Sequence, residues 1–360
     1  MSTRRVHQVL VGAARNDAIT AMAVEIQLEI AKSFESNIYC HHPVDSSFPE
    51  FVQQLTEIGA GFSDDVLIYH LSFGIPELTE FLLSRPEKLV IAYHNVTPAK
   101  YYEELLPQFA EALAYGKSEA SLLKKRVSLA IADSQFNAEE LESFGYSDVH
   151  VIPGGANPQR LDDVGVDVNF MSDLEYHFPK GFILFVSQVL PHKRVDHALE
   201  ILQLLRTVHR LDVGLVIAGP IRQPAYEFAL QTLREKLQDS HLLMANAVTD
   251  EQLATLYRAC LCYIGTSEHE GLSVPPLEAM ANGAPVVVLG AGAVPETVKA
   301  GGIVLPIDTG VIEFAEVVAE VITNGDLRSQ LRRAGVARLN EGFSENSAQK
   351  FVELVSGITV

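Results

Sequence analysis

The feature of this sequence that most constrains its fold is an alternation of short apolar runs with amphipathic stretches, which occurs twice along the chain. Short runs rich in Val, Ile and Leu are typical of strands buried in a parallel sheet. The candidate strands are 6–12, 36–40, 65–71, 88–94, 127–133 and 148–154 in the first half, and 181–187, 214–220, 241–245, 260–266, 284–290 and 301–306 in the second. Helical periodicity lies between them, for example at 19–34 and 136–144. The pattern predicts an α/β fold.

The two halves are separated by residues 154–180, which are rich in Asp, Gly, Asn and Pro and have no clear period. We interpret this segment as a linker. Two successive α/β units of similar size predict two doubly wound, Rossmann-like domains that face each other across a cleft. We place the first domain at 1–165 and the second at 166–343, and we expect a last helical stretch, 344–360, to pack back on the N-terminal domain.

Composition limits the classes of partner. The net charge of −19 argues against a nucleic-acid partner and against strong attachment to anionic lipid, because both need a basic surface. The three cysteines, Cys40, Cys260 and Cys262, have no metal or redox spacing. No signal peptide or membrane-spanning run is evident. We therefore expect a cytoplasmic protein with at most weak peripheral contact to the inner face of the membrane.

The stretch SEHEGLSVPPLEAM, residues 267–280, contains two glutamates with seven residues between them. We expect a loop followed by a helix, with Pro276 at the first helical position and Glu278 in the first turn. Glu270 then lies on the loop, and the backbone N–H groups around 272–274 are available at the helix start, where phosphates bind. Because carboxylates bind pairs of sugar hydroxyls, a ligand with both a sugar and a phosphate is the candidate.

These residues resemble a known family. SEHEGLSVPPLEAMANGAPVVV is similar to the signature of the retaining glycosyltransferases of family 4, which have the GT-B fold, and FVSQVLPHKRVDHALEIL resembles the first strand and helix of the family's C-terminal domain. LVIAGP, VTDEQLATLYRAC, AGAVPETV and AGGIVLP follow in the family's order. RNDAIT, IAYHNVTPAKYY and IADSQFNAEEL resemble a bacterial branch that acts on cell-surface polysaccharides or lipid-linked glycans. The resemblance covers nearly the whole chain.

The resemblance implies a role for each matching residue. Glu270 would lie beside the donor sugar, Glu278 would hold the nucleotide ribose, and Lys193 would neutralise the diphosphate leaving group. His94 would face the donor sugar from the N-terminal domain. The remaining donor-site residues would be Gly271, Leu272, Ser273 and Val274, with the N–H groups of the last three meeting the diphosphate.

On the acceptor side we single out Gly12, Arg15, Asn16 and Asp17, which follow the first strand. They would bind the acceptor, or merely cap the helix that begins near Ala18. The glycine-rich first loop of the family is reduced here to Gly12.

One position departs from the family pattern. Gln188 stands where an arginine is usual, so the pair of cations expected on the departing diphosphate is one short. Arg194 would compensate only if its side chain reached the same phosphates as Lys193, and adjacent helix positions point about 100° apart. Either the enzyme tolerates a neutral side chain at position 188, or its activity is weak or lost.

The resulting expectation is a metal-independent, retaining hexosyltransferase that uses a nucleoside-diphosphate sugar, GDP-mannose or a UDP-hexose, and a glycan or lipid-linked acceptor. No Asp-x-Asp or His-x₃-His pattern suggests a metal, and Gly290-x-Gly292 lacks the third glycine of a dinucleotide fingerprint. Two alternatives stay open: a nucleotide-sugar epimerase or phosphorylase on the same architecture, and a non-catalytic nucleotide-sugar-binding subunit of a glycosyltransferase complex. Whether the chain forms a homodimer also stays open.

Overall fold

The computed structural model describes residues 4–14, 17–44, 47–154, 157–221, 224–236, 241–341 and 347–358. The chain divides into two compact units, one formed by Met1–Ala156 together with Ser344–Val360 and the other by Asn157–Phe343. Each unit has its own sheet and its own buried core. The division lies inside the segment interpreted as a linker, so that residues 157–165 belong to the second unit.

The first unit is built on a seven-stranded parallel sheet with the strand order β3-β2-β1-β4-β5-β6-β7. Its strands are β1 (Val6–Leu10), β2 (Ile38–Cys40), β3 (Val52–Gln54), β4 (Val66–Leu71), β5 (Lys88–Tyr93), β6 (Val127–Ala132) and β7 (His150–Val151). Its first helices are α1 (Ala18–Ile30), α2 (Pro76–Ser84), α3 (Pro107–Leu123) and α4 (Gln135–Ser143). Every residue of β1 and β4 is buried, which explains why neither VHQVL nor VLIYHL alternates apolar and polar residues as a half-exposed strand does.

The second unit repeats this design with a six-stranded parallel sheet of order β10-β9-β8-β11-β12-β13. Its strands are β8 (Phe182–Val186), β9 (Gly214–Ala218), β10 (Leu242–Asn246), β11 (Cys262–Gly265), β12 (Val286–Leu289) and β13 (Ile303–Leu305). Its helices are α5 (Val168–His177), α6 (Val195–Thr207), α7 (Pro224–Lys236), α8 (Asp250–Ala259), α9 (Val274–Ala281), α10 (Val294–Val298), α11 (Val311–Thr323) and α12 (Gly325–Asn340). The strand order reverses between β8 and β11, the kind of point at which such sheets bind ligands.

The interpretation of 154–180 as an unstructured linker was wrong for its second part, which forms helix α5. Asp167 caps this helix, since its Oδ1 accepts a hydrogen bond from the Phe170 N–H at 3.0 Å. Leu174 and Phe178 are buried in the core of the second unit. The helix has little periodic signal because Leu174 is its only buried residue.

The last helix, α13 (Ser347–Gly357), belongs to the first unit. Phe351 and Val355 are buried there in one cluster with Ile26 and Ile30 of α1. Helix α13 thus completes the core of the first unit.

The longest helix of the described ranges, α3, has 17 residues. None of the helices in these ranges combines the length and the apolar character that a bilayer crossing requires.

Candidate active site

Helix α9, which contains the two prolines of the motif, begins two residues earlier than the sequence suggested. The helix starts at Val274, so Pro276 is its third residue rather than its first, and Glu278 lies in the second turn rather than the first. Two consecutive prolines are tolerated there because the first N–H groups of a helix have no intrahelical acceptor. Ser273 precedes the helix in the left-handed region, with φ 68°, and within the described residues its side chain makes no capping bond. The N–H groups that remain at this helix start belong to 272–274.

Lys193 and Glu270 form an ion pair at the carboxyl ends of β8 and β11. The Lys193 Nζ donates to Glu270 Oε1 at 2.8 Å, and their side chains are 17% and 13% exposed. The loop after β11 holds the lysine in place, because Thr266 Oγ1 donates to the carbonyl of Lys193 at 3.2 Å and to that of Arg194 at 2.9 Å. The structure therefore brings together a cation and a carboxylate that the sequence assigned separately to the leaving group and the sugar.

Gly292 and Ala293 fix the position of the Glu270 backbone. The Ala293 N–H donates to the Glu270 carbonyl at 3.0 Å, and Gly292 lies against the same carbonyl with φ 55°. A Cβ on Gly292 would approach the Glu270 oxygen to 2.2 Å. Gly292 is thus needed because the backbone of this loop passes close to the Glu270 carbonyl.

A small pocket opens beside this ion pair at the edge of the second unit's sheet. Its lining includes Ser187, Lys193, Tyr263, Ser267, Glu270 and Ser273. Gln188 follows Ser187 and is half-buried. The pocket thus offers hydroxyl groups, one cation and one carboxylate at the point where the strand order reverses.

The guanidinium of Arg194 is already paired with two carboxylates. Its guanidinium donates to Asp196 Oδ2, with distances of 3.0 Å from Nε and 2.7 Å from Nη2, and it also bonds Glu268. Burial alone would lower the pKa of Arg194, but the bonds to Asp196 and Glu268 outweigh it and raise that pKa. For Arg194 to compensate for Gln188, these ion pairs would have to break.

Glu278 is a buried carboxylate, with a side chain that is 7% exposed. Its Oε1 accepts from Arg160 Nε at 2.6 Å and its Oε2 from the Tyr257 hydroxyl at 2.9 Å. Burial, followed by the charge of Glu278, raises the pKa of Tyr257 well above its usual range, so this phenol stays protonated. Sequence reasoning missed Arg160, which lies 118 residues away in the segment interpreted as a linker.

In the first unit, His94 belongs to a buried hydrogen-bonded chain. Its Nδ1 lies 2.7 Å from Asp133 Oδ2 and its Nε2 lies 2.8 Å from His70 Nδ1. His70 Nε2 lies in turn 2.9 Å from Gln8 Oε1. The His94 side chain is 2% exposed, and both its ring nitrogens are used inside this unit. The expected contact of His94 with a donor sugar stays a prediction.

The hydrogen bonds of this chain assign its protons. Gln8 Nε2 donates to the Ala23 carbonyl at 2.9 Å, so Gln8 Oε1 is the acceptor and His70 Nε2 the donor. Burial, with a smaller effect of His94, lowers the pKa of His70 well below its usual value, so the ring is neutral and its Nδ1 accepts a proton from His94 Nε2. On its other side, His94 Nδ1 is hydrogen-bonded to Asp133 Oδ2 at 2.7 Å.

The acceptor-side residues are only partly described. Gly12 is half-buried, and a Cβ placed on it would lie 3.4 Å from the His42 side chain. Asp17 caps α1, with its Oδ2 accepting from the Thr20 N–H and hydroxyl, both at 2.9 Å. The capping alternative thus has a structural basis, although capping leaves an acceptor role untested. Arg15 and Asn16 lie outside the described residues.

Comparison with known proteins places the second unit in a family. Residues 176–338 match the family described as "Glycosyl transferases group 1". The chain carries a glycosyl transferases group 1 domain, and the family resemblance found in the sequence is confirmed.

Two of the curated relatives are mannosyltransferases. The chain is 26% identical over 226 residues to the serotype-specific mannosyltransferase WbdA of Escherichia coli, covering 59% of this chain and 26% of that one. It is 26% identical over 230 residues to the alpha-1,3/1,6-mannosyltransferase ALG2 of Homo sapiens, covering 59% and 54%. The chain thus spans about half of one relative and a quarter of the other.

The fold also has solved counterparts. The chain is similar to the Anabaena protein Alr3699/HepE, solved in complex with UDP-glucose, with a TM-score of 0.74, 15% identity and coverage of 98% of this chain and 99% of that one. The predicted fold class, GT-B with two Rossmann-like units, is confirmed.

Proposed function

We propose that the protein is a retaining, metal-independent glycosyltransferase, which moves a hexose from a nucleoside-diphosphate sugar to a hydroxyl of a glycan or lipid-linked acceptor. Mannose from GDP-mannose is the first donor to test, because the two curated relatives described above are mannosyltransferases. The proposal includes a cytoplasmic location with at most weak membrane contact, in line with the net charge of −19.

The observation that carries this proposal is the Lys193–Glu270 pair beside the start of α9. Cleavage of the bond between the sugar and the diphosphate develops negative charge on the phosphate and positive charge on the sugar ring. A lysine and the N–H groups of a helix start stabilise the first charge. A carboxylate that loses its lysine to the phosphate gains free acceptor sites for sugar hydroxyls.

The stereochemistry rests on the family resemblance. Departure of the diphosphate from the same face on which the acceptor hydroxyl arrives would retain the anomeric configuration. The C–O bond to the phosphate breaks, the bond to the acceptor oxygen forms, and the acceptor proton passes to the leaving phosphate. Such a route asks the protein for positioning and charge stabilisation rather than for a nucleophile.

Calorimetric titration of the purified chain with GDP, UDP, ADP and TDP in the presence of EDTA tests the donor site. We expect one nucleotide to bind clearly without a metal and Lys193→Met to weaken it. A matched control is Lys299→Met, which removes a lysine on the exposed Lys299–Gly301 turn. If no nucleoside diphosphate binds, with or without added Mg²⁺ or Mn²⁺, the proposal fails.

Gln188 favours a second candidate, a subunit that binds nucleotide sugar without catalysis. A neutral amide leaves Lys193 as the one cation lining the pocket among the described residues. That candidate predicts binding of the donor and no turnover with any acceptor. An epimerase would instead change the donor sugar without an acceptor, and a phosphorylase would need inorganic phosphate and a glycan.

A further inference from the structure

We infer that Arg160 is a positioning residue of the nucleotide site: its guanidinium orients the Glu278 carboxylate and supplies its counter-charge, so that Glu278 can bind the two ribose hydroxyls. The inference rests on the proposed function and on the ribose role that the family resemblance implies for Glu278. Arg160 lies outside the motif and outside the residues 176–338 that match the family.

The first argument is the environment of Glu278. Its carboxylate is buried, and an isolated charge in such a place is unfavourable unless a cation and hydrogen bonds compensate for it. Arg160 Nε, at 2.6 Å, is the cation in contact with this carboxylate. The other titratable groups that the structure places near it are the phenols of Tyr257 and Tyr263, and Asp250 lies beside Arg160.

The second argument is a count of acceptor positions. Each oxygen of a carboxylate accepts about two hydrogen bonds. Arg160 occupies one position on Oε1 and Tyr257 one on Oε2. Among the residues that the structure describes, this leaves one position on each oxygen, as many as two neighbouring hydroxyls of a ribose require. Rotation of the carboxylate would lose this match, and the two donors from different elements prevent it.

The third argument is that the structure fixes the segment that carries Arg160. Leu161 is fully buried in the core of the second unit. The guanidinium of Arg258 donates to the carbonyls of Leu161 and Val164, both at 2.7 Å, and to Asn282 Oδ1 at 3.0 Å. Asn282 in turn donates to the Glu278 carbonyl at 3.0 Å. The backbones that carry Arg160 and Glu278 are thus connected through one arginine.

Asp250 holds the outer side of Arg160. Its Oδ1 accepts from Arg160 Nη1 at 2.6 Å, and its side chain is largely exposed. The guanidinium therefore bridges a buried and an exposed carboxylate, a planar two-sided geometry that a lysine ammonium does not reproduce. This arrangement directs Nε, rather than a flexible chain end, to Glu278.

The test separates positioning from a merely structural role by removing the ribose hydroxyls from the ligand. Full-length wild type, Glu278→Gln, Arg160→Gln and Arg160→Lys are titrated by calorimetry with GDP and UDP and with their 2′,3′-dideoxy counterparts. The ratio of the two affinities measures what the hydroxyls contribute. Arg333→Gln is the matched control, since it makes the same change on an exposed face of α12.

For the nucleotide that binds better, we expect the wild type and Arg333→Gln to prefer the ribose form by about tenfold or more, as for hydrogen bonds to a charged group. The preference should fall to about threefold or less in Arg160→Gln and in Glu278→Gln, and lie between in Arg160→Lys. Melting temperatures verify that each variant is folded.

Two results would overturn the inference in distinguishable ways. If Arg160→Gln and Arg160→Lys weaken both ligands equally and keep the wild-type preference, Arg160 is structural and the donor site stands. If the wild type itself has no preference for the ribose form, Glu278 does not bind ribose and the inference fails with it. Absence of any nucleotide binding by the wild type would remove the proposed function as well.

Discussion

Lys193 and Glu270, 77 residues apart in the sequence, are ion-paired at 2.8 Å beside the start of α9. The lysine assigned to the diphosphate and the carboxylate assigned to the sugar therefore neutralise each other in the free protein. Binding of a diphosphate would give Lys193 a phosphate partner in place of Glu270. The Glu270 carboxylate would then be released to bind the sugar.

This exchange of partners predicts that two substitutions differ in their effect on the binding of a free nucleoside diphosphate. Lys193→Met should weaken binding by about tenfold or more, because a charged hydrogen-bond donor is lost. Glu270→Gln should leave binding unchanged or strengthen it, because the lysine no longer has to leave a carboxylate. Calorimetry on both variants measures the two effects. Equal losses would contradict the exchange.

Gly292 gives a prediction about the loop that holds Glu270. Gly292→Ala should destabilise the fold by about 1–2 kcal/mol from its left-handed backbone alone, and by more because its Cβ would meet the Glu270 carbonyl at 2.2 Å. Gly283→Ala is a close control: φ is 77° there and no atom lies within 4 Å of the added carbon. Urea unfolding should show a larger loss of stability for Gly292→Ala than for Gly283→Ala. Nucleotide-sugar titration should show a loss of affinity for Gly292→Ala only.

The buried chain from Asp133 to Gln8 predicts defined histidine tautomers. In the wild type, ¹⁵N NMR of the imidazoles should find His70 neutral with its proton on Nε2, and His94 with a proton on Nε2 that it donates to His70 Nδ1. Asp133→Asn should lower the free energy of unfolding by about 1–3 kcal/mol, because it replaces the carboxylate that is hydrogen-bonded to His94. A proton on Nδ1 of neutral His70 would refute the assignment.

Glu119 predicts a loss of stability as pH rises. Burial raises its pKa from 4.5 to about 7, against the opposing hydrogen bonds from Thr79 and Tyr69. The folded protein therefore holds this proton more tightly than the unfolded chain. The stabilisation is complete below pH 4.5 and is lost between pH 4.5 and 7, by about 3 kcal/mol.

Urea unfolding at pH 5 and pH 8 measures this difference. Glu119→Gln keeps the shape of the side chain and removes the titration, so its stability should vary less with pH than that of the wild type. Glu111→Gln, on an exposed position of the same helix, is the control. The same pH dependence in the wild type and in Glu119→Gln would exclude Glu119 as the cause.

Much of the fold was predictable because the buried parallel strands are short runs dominated by apolar residues, as in VLIYHL of β4. Helix α5 was not predictable, since Leu174 alone gives it a buried face. The edge strand β3 has only three residues and was also missed.

The candidate site, too, could be predicted only in part from the sequence. The Glu270 and Glu278 spacing is local and visible in the sequence, whereas the partners of these residues come from distant segments. Arg160 lies 118 residues from Glu278, and no periodicity of the sequence connects them. The role of Gly292 was not visible in the sequence, because the need for a close approach depends on a carbonyl 22 residues earlier, and only the folded loop shows it.

The most direct test of the account is turnover of a nucleotide sugar. The full chain is incubated with GDP-mannose or UDP-glucose and octyl α-mannoside in EDTA, and the products are followed by release of the free nucleoside diphosphate and by NMR of the new anomeric centre. The account predicts metal-free release, transfer with the donor's anomeric configuration retained, and a loss of about a hundredfold or more in Lys193→Met. Donor binding without any release would contradict catalysis, and an inverted product would contradict the retaining route.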